Sequence, residues 1–171
     1  MDDQPIINSS IEMNRETNKN IDISAADKER FLKSVLADAP YTEDITLFDG
    51  QLSIKFKAMT VQDNTDVVNQ IVLDRSNGVA ADNDAYFITI STYRLVLSIV
   101  SVGDKQFSNI TKDKFVDTDG KGTYVSLRAK EVLNWPTLKL SAYLDAFQLF
   151  EAKILKLSKE VQTLNFWKAS A

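Results

Sequence analysis

The chain contains neither cysteine nor histidine. Without thiols, disulfide frameworks, thiolate zinc sites and cysteine nucleophiles are excluded within it, and the composition suits a reducing compartment. Without imidazole, Ser-His-Asp and Cys-His catalysis, histidine-held zinc and histidine pH switching are excluded as well. Any catalysis would rest on carboxylates, lysine, tyrosine or an oxygen-ligated metal. Glycine and proline are sparse, 5 and 3 of 171 residues, which favours regular structure over collagen-like or turn-rich sequence. Basic residues are in deficit: the net charge is -4 and the pI about 4.9. Phosphate contacts rely on clustered Lys and Arg, so no nucleic-acid partner is expected.

Long uncharged apolar runs are missing too. The most apolar stretch, "AYFITISTYRLVLSIVSV", is interrupted by Arg94 and by Ser and Thr. It reads as a buried helix, since a membrane span needs roughly 20 mostly apolar residues, and no membrane partner is expected. The opening "MDDQPIINSS" is acidic and has no cationic region leading into an apolar core, so no secretory signal is expected.

What is present describes an α+β fold, mostly helical, with one β-hairpin packed on four or five helices and a long C-terminal amphipathic helix. Residues 1–23 are polar and lack an apolar period, which predicts a disordered N-terminal arm before a single domain over 24–171. Ser24 and Asp27 are placed to start a helix with Phe31, Leu32, Val35 and Leu36 along one face, ending before Pro40. In "EDITLFDGQLSIKFKAMT", Ile45 and Leu47, then Leu52, Ile54 and Phe56, alternate with polar residues around Asp49-Gly50, a favoured hairpin turn.

Thr60 with Asp63 forms a capping-box pattern ahead of a helix whose expected buried side is Val67, Val68, Ile71 and Val72, with a stop at Asn77-Gly78. "ADNDAYFITISTYRLVLSIVSVGD" is expected as a second helix, although its β-branched content also permits a strand for part of it. Asp82 and Asp84 bracket its start and suit the helix dipole. The segment from Lys105 to Ser126 reads as a loop with a small strand, and "SLRAKEVLNWP" as a short helix ending before Pro136. In the last helix Leu140, Tyr143, Phe147, Phe150, Ile154, Leu157, Val161 and Leu164 follow heptad spacing.

That seam has two readings: a long helix laid across its own domain, or a face turned to another chain, including self-association through the C-terminal helix. Phe166 and Trp167 pose the same choice between closing the chain's own core and anchoring a partner, because buried Trp is prominent among the residues that dominate interface energy. On the second reading the partner-binding residues are Phe147, Phe150, Ile154, Leu157, Val161, Phe166 and Trp167.

Signs of chemistry are weaker. "DKFVDTDGKGT" offers Asp117, Asp119 and Gly120 in a partial EF-hand pattern, but placing Gly120 at the invariant glycine puts Phe115 and Ser126 at the two anchoring ligand positions. Phe115 also stands where a phosphate-binding loop needs its first glycine. Asp44, Asp66 and Glu131 are open to acid or base work, yet no spacing favours them. No metal or cofactor is expected.

The run "FLKSVLADAPYTEDITLFDGQLSIKFKAMTVQD", followed by helices and a terminal "LNFW", resembles the small tail and baseplate assembly proteins of contractile-tailed phages, including the T-even baseplate-hub assembly chaperone group. The matching residues are Phe31, Leu32, Pro40, Tyr41, Leu47 to Gly50, Phe56, Met59, Thr60, Phe166 and Trp167, and the likeness of pattern spans most of residues 30–167. It implies a non-enzymatic chaperone of the host cytoplasm that binds hub or tail components during virion morphogenesis. A structural subunit of the virion baseplate or tail is the alternative, and a carboxylate-based enzyme the third class.

Overall fold

The computed structural model describes residues 21–79, 84–112 and 122–163. The chain divides into two compact units, one of Met1–Ala39 with Gln148–Ala171 and one of Pro40–Phe147. Most of the expected N-terminal arm, residues 1–20, lies outside the described residues.

In the first unit, α1 (Ala25–Leu36) begins as the sequence predicts. Ser24 Oγ accepts from the Asp27 amide at 3.1 Å, and the Ser24 amide donates back to the Asp27 carboxylate at 3.1 Å, so two orphan donors of the first turn are satisfied reciprocally. The helix stops at Asp38, whose φ of 52° is left-handed, and the Ala39 amide reaches back to the Ser34 carbonyl at 3.0 Å. Of the expected apolar face only Phe31 is buried; Val35 and Leu36 are exposed.

The same unit contains the C-terminal half of α5 (Thr137–Val161), and ionic contacts join it to α1. Lys153 Nζ lies 3.0 Å and Arg30 Nη2 2.5 Å from Asp27 Oδ1, and Lys28 pairs with Glu160 at 2.7 Å. Burial works against the charged Asp27 carboxylate, but the hydrogen bonds from Ser24, Lys153 and Arg30 outweigh it and hold its pKa well below the usual carboxylate range. A depressed folded-state pKa gives stability that is present above the unfolded value of about 4 and lost as pH falls through the folded one.

The second unit holds an antiparallel sheet in the order β1-β2-β3-β4. Strands β1 (Thr42–Leu47) and β2 (Leu52–Lys57) form the expected hairpin, with Ile45 opposite Ile54 and Leu47 opposite Leu52. Asp49 and Gly50 have φ of 53° and 84°, and the Gln51 amide donates to the Phe48 carbonyl at 3.0 Å, the pattern of a type I′ turn. Ile54 and Phe56 are fully buried, so the greasy face is covered as a lone hairpin requires.

Two further strands extend that hairpin. The apolar stretch expected as one helix is α3 (Asp84–Ser98) running directly into β3 (Ile99–Val102), and Gly103 turns the chain into β4 (Lys105–Gln106). β3 pairs with β2, with a bulge that sets Lys55 opposite Ser101 but Phe56 opposite Ile99. Ser98 Oγ donates to the Lys57 carbonyl at 2.5 Å and fixes the junction against the end of β2. Pairing with β2 selects the strand alternative for Ile99–Val102, since β-branched residues suit a half-buried pleated surface.

Helices α2 (Val61–Ser76), α3, α4 (Tyr124–Leu133) and the first half of α5 complete this unit. Val67, Tyr93, Val96, Leu97, Val125, Ala129 and Val132 form its core cluster, bordered by Met59, Phe107 and Trp135. α2 is bounded as predicted: Thr60 and Asp63 make a capping box, and after Asn77 the left-handed Gly78 lets the Val79 amide close on Asp74 at 2.9 Å. On α5, Tyr143 is fully buried with its ring edge-on to Trp135 at 4.9 Å, and its hydroxyl has no hydrogen-bond partner among the described residues.

Two outcomes follow. Asp27→Asn should lower stability at pH 7 by about 2 kcal/mol and flatten the acid limb below pH 4 in pH-dependent urea unfolding. Tyr143→Phe should be neutral or stabilising by up to about 1 kcal/mol in the same assay, because it removes a desolvated hydroxyl that bonds to nothing.

Candidate functional site

The structure separates the predicted partner-binding residues into three groups. Phe147, Phe150 and Leu157 are buried within the chain at 2% exposure or less, so at these positions the heptad seam of α5 is internal and is not a free face. Phe147 meets Phe56 of β2 with ring centroids 5.8 Å apart, because the covered face of the hairpin needs aromatic bulk against it. Ile154 and Val161 are half-buried. Phe166 and Trp167 lie outside the described residues, as do Asp82, Asp117, Asp119 and Gly120.

A different helix carries the open apolar face. On α2, Val61 is 85%, Val68 56% and Val72 59% exposed, and Thr65 between them is exposed as well. Residues 61, 65, 68 and 72 are separated by four, three and four positions, which aligns them along one seam of the helix. Val68 and Val72 were expected inside; the structure buries only Val67 and Gln70 on this helix and leaves Ile71 half-covered. The reason is orientation. Tyr93 Oη donates to Asp74 at 2.9 Å, Tyr86 Oη reaches the Ile71 carbonyl at 3.4 Å, and Gln70 accepts from Thr123 Oγ1, so the side carrying 67, 70, 71 and 74 is turned inward. Burial and then the Asp74 hydrogen bond push the Tyr93 phenol well above its ordinary pKa.

The polar rim of the seam consists of amides and, at its C-terminal end, Arg75. Gln62, Asn64 and Asn69 are exposed beside it; Gln62 donates to Asp66 at 3.0 Å, and the carboxylates of α2 have further partners. Asp63 binds Lys57 at 2.5 Å, Asp66 binds Lys112 at 2.5 Å, and Asp74 accepts from Tyr93 and Gln70. Burial opposes ionisation of Asp63, but Lys57 and the Thr60 cap lower its pKa, so it stays a fixed anion at neutral pH. The seam therefore presents β-branched apolar side chains flanked by amides, with the exposed cation Arg75 three residues beyond Val72. Phe87 and Ile88 add exposed apolar surface on α3.

Sequence reasoning also passed over Arg128. Its guanidinium is buried and donates to the carbonyls of Val96 (3.0 Å from Nε, 2.7 Å from Nη2), Ile99 (3.2 Å) and Ile110 (2.9 Å). Phe107 and Tyr124 lie under it, with ring centroids 5.0 and 5.6 Å from the guanidinium carbon. Burial lowers its pKa while Tyr124, Glu131 and Asp63 oppose the shift, and an arginine so placed keeps its charge. Among the described residues, no cluster of carboxylates could hold a metal ion and no helix is long and apolar enough to cross a membrane.

No family model matches the chain, and no curated protein or solved structure is significantly similar to it.

Arg128→Met should cost about 3 kcal/mol in urea unfolding, since it strands the carbonyls of Val96, Ile99 and Ile110 in the interior. Arg128→Lys should recover less than half of that loss, because one ammonium cannot span the acceptors that the planar fork reaches.

Proposed function

We propose that this protein works by binding other proteins, as a non-enzymatic assembly factor for phage tail or baseplate components. The observation that carries the binding reading is the exposed seam Val61-Thr65-Val68-Val72 on α2. β-Branched side chains at heptad spacing, left in water by their own fold and flanked by amides and Arg75, suit the apolar face of an amphipathic partner helix. The pattern likeness to tail and baseplate assembly proteins supplies the direction. A chaperone that covers apolar helical surface on a hub or tail protein until assembly would use such a seam.

Strand addition is the less favoured mode. β1 is an outer strand of the sheet, but it carries Glu43 and Asp44, and charges on a strand edge discourage pairing.

The test is a double variant, Val68→Gln with Val72→Gln. Both positions are exposed and Gln is the better helix former, so urea stability should change by no more than about 0.5 kcal/mol. Tail or baseplate proteins should co-purify with the parent chain from phage-producing cells, and the variant should lose them. Equal recovery by the variant, or recovery of no particle protein by the parent, would contradict the proposal. Fixed copies of the chain in purified virions would move the role from chaperone to structural subunit.

A further inference from the structure

The face of the second unit next to Arg128 contains a cleft of about 260 Å³ whose polar lining is Lys57, Gln106, Ser108, Tyr124 and Arg128, the rest of the wall being aliphatic. Among the described residues no carboxylate lines it; the Ser108 hydroxyl already donates to Glu131, and Lys57, Gln106, Tyr124 and Arg128 each carry N–H or O–H groups. The bulge in β3 at Val100 brings this wall together: it offsets the strand between Ile99 and Ser101, and the Phe107 amide closes on the Val100 carbonyl at 3.1 Å.

The two cations differ in how they are satisfied. Among the described residues Lys57 Nζ has one acceptor, Asp63 at 2.5 Å, and an ammonium carries three N–H groups. Arg128 is met by backbone carbonyls and the Tyr124 phenol, and no carboxylate pairs with it among the described residues. The carboxylates that act on Arg128 from further away, Glu131 and Asp63, lie outside the lining and are already held by Ser108 and Lys57. Beside low-dielectric walls, a guanidinium charge with no carboxylate in the lining raises the local anion concentration.

We infer that this cleft binds a small oxyanion, a phosphate or carboxylate group, held by Lys57 and Tyr124 over the charge of Arg128. Its volume falls below the range of roughly 300–1,000 Å³ that accommodates drug-sized ligands, which favours an ion or a small acid. This site is independent of the α2 seam and does not rest on the protein-binding proposal.

The experiment is an NMR titration of the full chain with inorganic phosphate and, separately, sodium acetate, at constant ionic strength maintained with chloride. Saturable shifts of the Lys57, Tyr124 and Arg128 side-chain signals are expected for at least one of the two anions, with a midpoint below ~10 mM. Lys57→Gln should raise that midpoint by about tenfold, the loss of one charge-assisted hydrogen bond. Lys112→Gln, which breaks the Asp66 ion pair away from the lining, should leave it within about twofold. If Lys57→Gln unfolds, Tyr124→Phe keeps the ring beside Arg128 and should weaken binding about threefold. Shifts that stay linear with both anions, or an anion that binds Lys57→Gln as tightly as the parent, would overturn the inference.

Discussion

The Arg128 guanidinium holds the second unit at its least regular point. A helix that passes into a strand without a loop leaves its last carbonyls with neither helical nor sheet partners. At the α3-β3 junction those include the Val96 carbonyl, with Ile99 just beyond it, and both accept from Arg128 of α4. The same side chain reaches Ile110 in the segment after β4, so one cation ties together helix end, strand start, connecting segment and α4. Each buried carbonyl left without a donor would cost about 1–3 kcal/mol, enough to decide whether the junction forms. The position of β3 beside β2, and hence the closure of the sheet over Phe56, depends on that junction.

Where the information was local, the fold was legible in the sequence. Ser24 with Asp27 and Thr60 with Asp63 are short-range pairs whose side chains bond to amides three residues away, and both boxes form. Asp49-Gly50 fixed the hairpin because its residues tolerate positive φ, and Asn77-Gly78 ended α2 for the same reason. The switch at Ser98 was hidden because an apolar, β-branched run satisfies helix and strand alike; pairing with β2, more than 40 residues earlier, chose between them. Arg128 was hidden for a related reason. Its acceptors are backbone carbonyls 18 to 32 residues away, and a carbonyl leaves no mark on the sequence.

The two heptad seams show what periodicity can and cannot report. Spacing in α5 placed Tyr143, Phe147, Phe150 and Leu157 on one face, and that face is buried in the chain's own interior. The same spacing in α2 aligns Val61, Thr65, Val68 and Val72, and that face is open. A period identifies residues that share a side; which neighbour covers that side is settled by tertiary contacts, here the Tyr93-Asp74 and Thr123-Gln70 hydrogen bonds that rotate α2. The open apolar face thus fell on the helix whose valines compete for the core and lose.

The most direct measurement of this account is NMR of the Arg128 side chain. With the guanidinium fixed on the Val96 and Ile99 carbonyls, its Nε–H should exchange slowly with water and show a through-hydrogen-bond coupling to the Val96 carbonyl carbon. An Nε–H that exchanges as fast as that of an exposed arginine such as Arg75, with no such coupling, would contradict it.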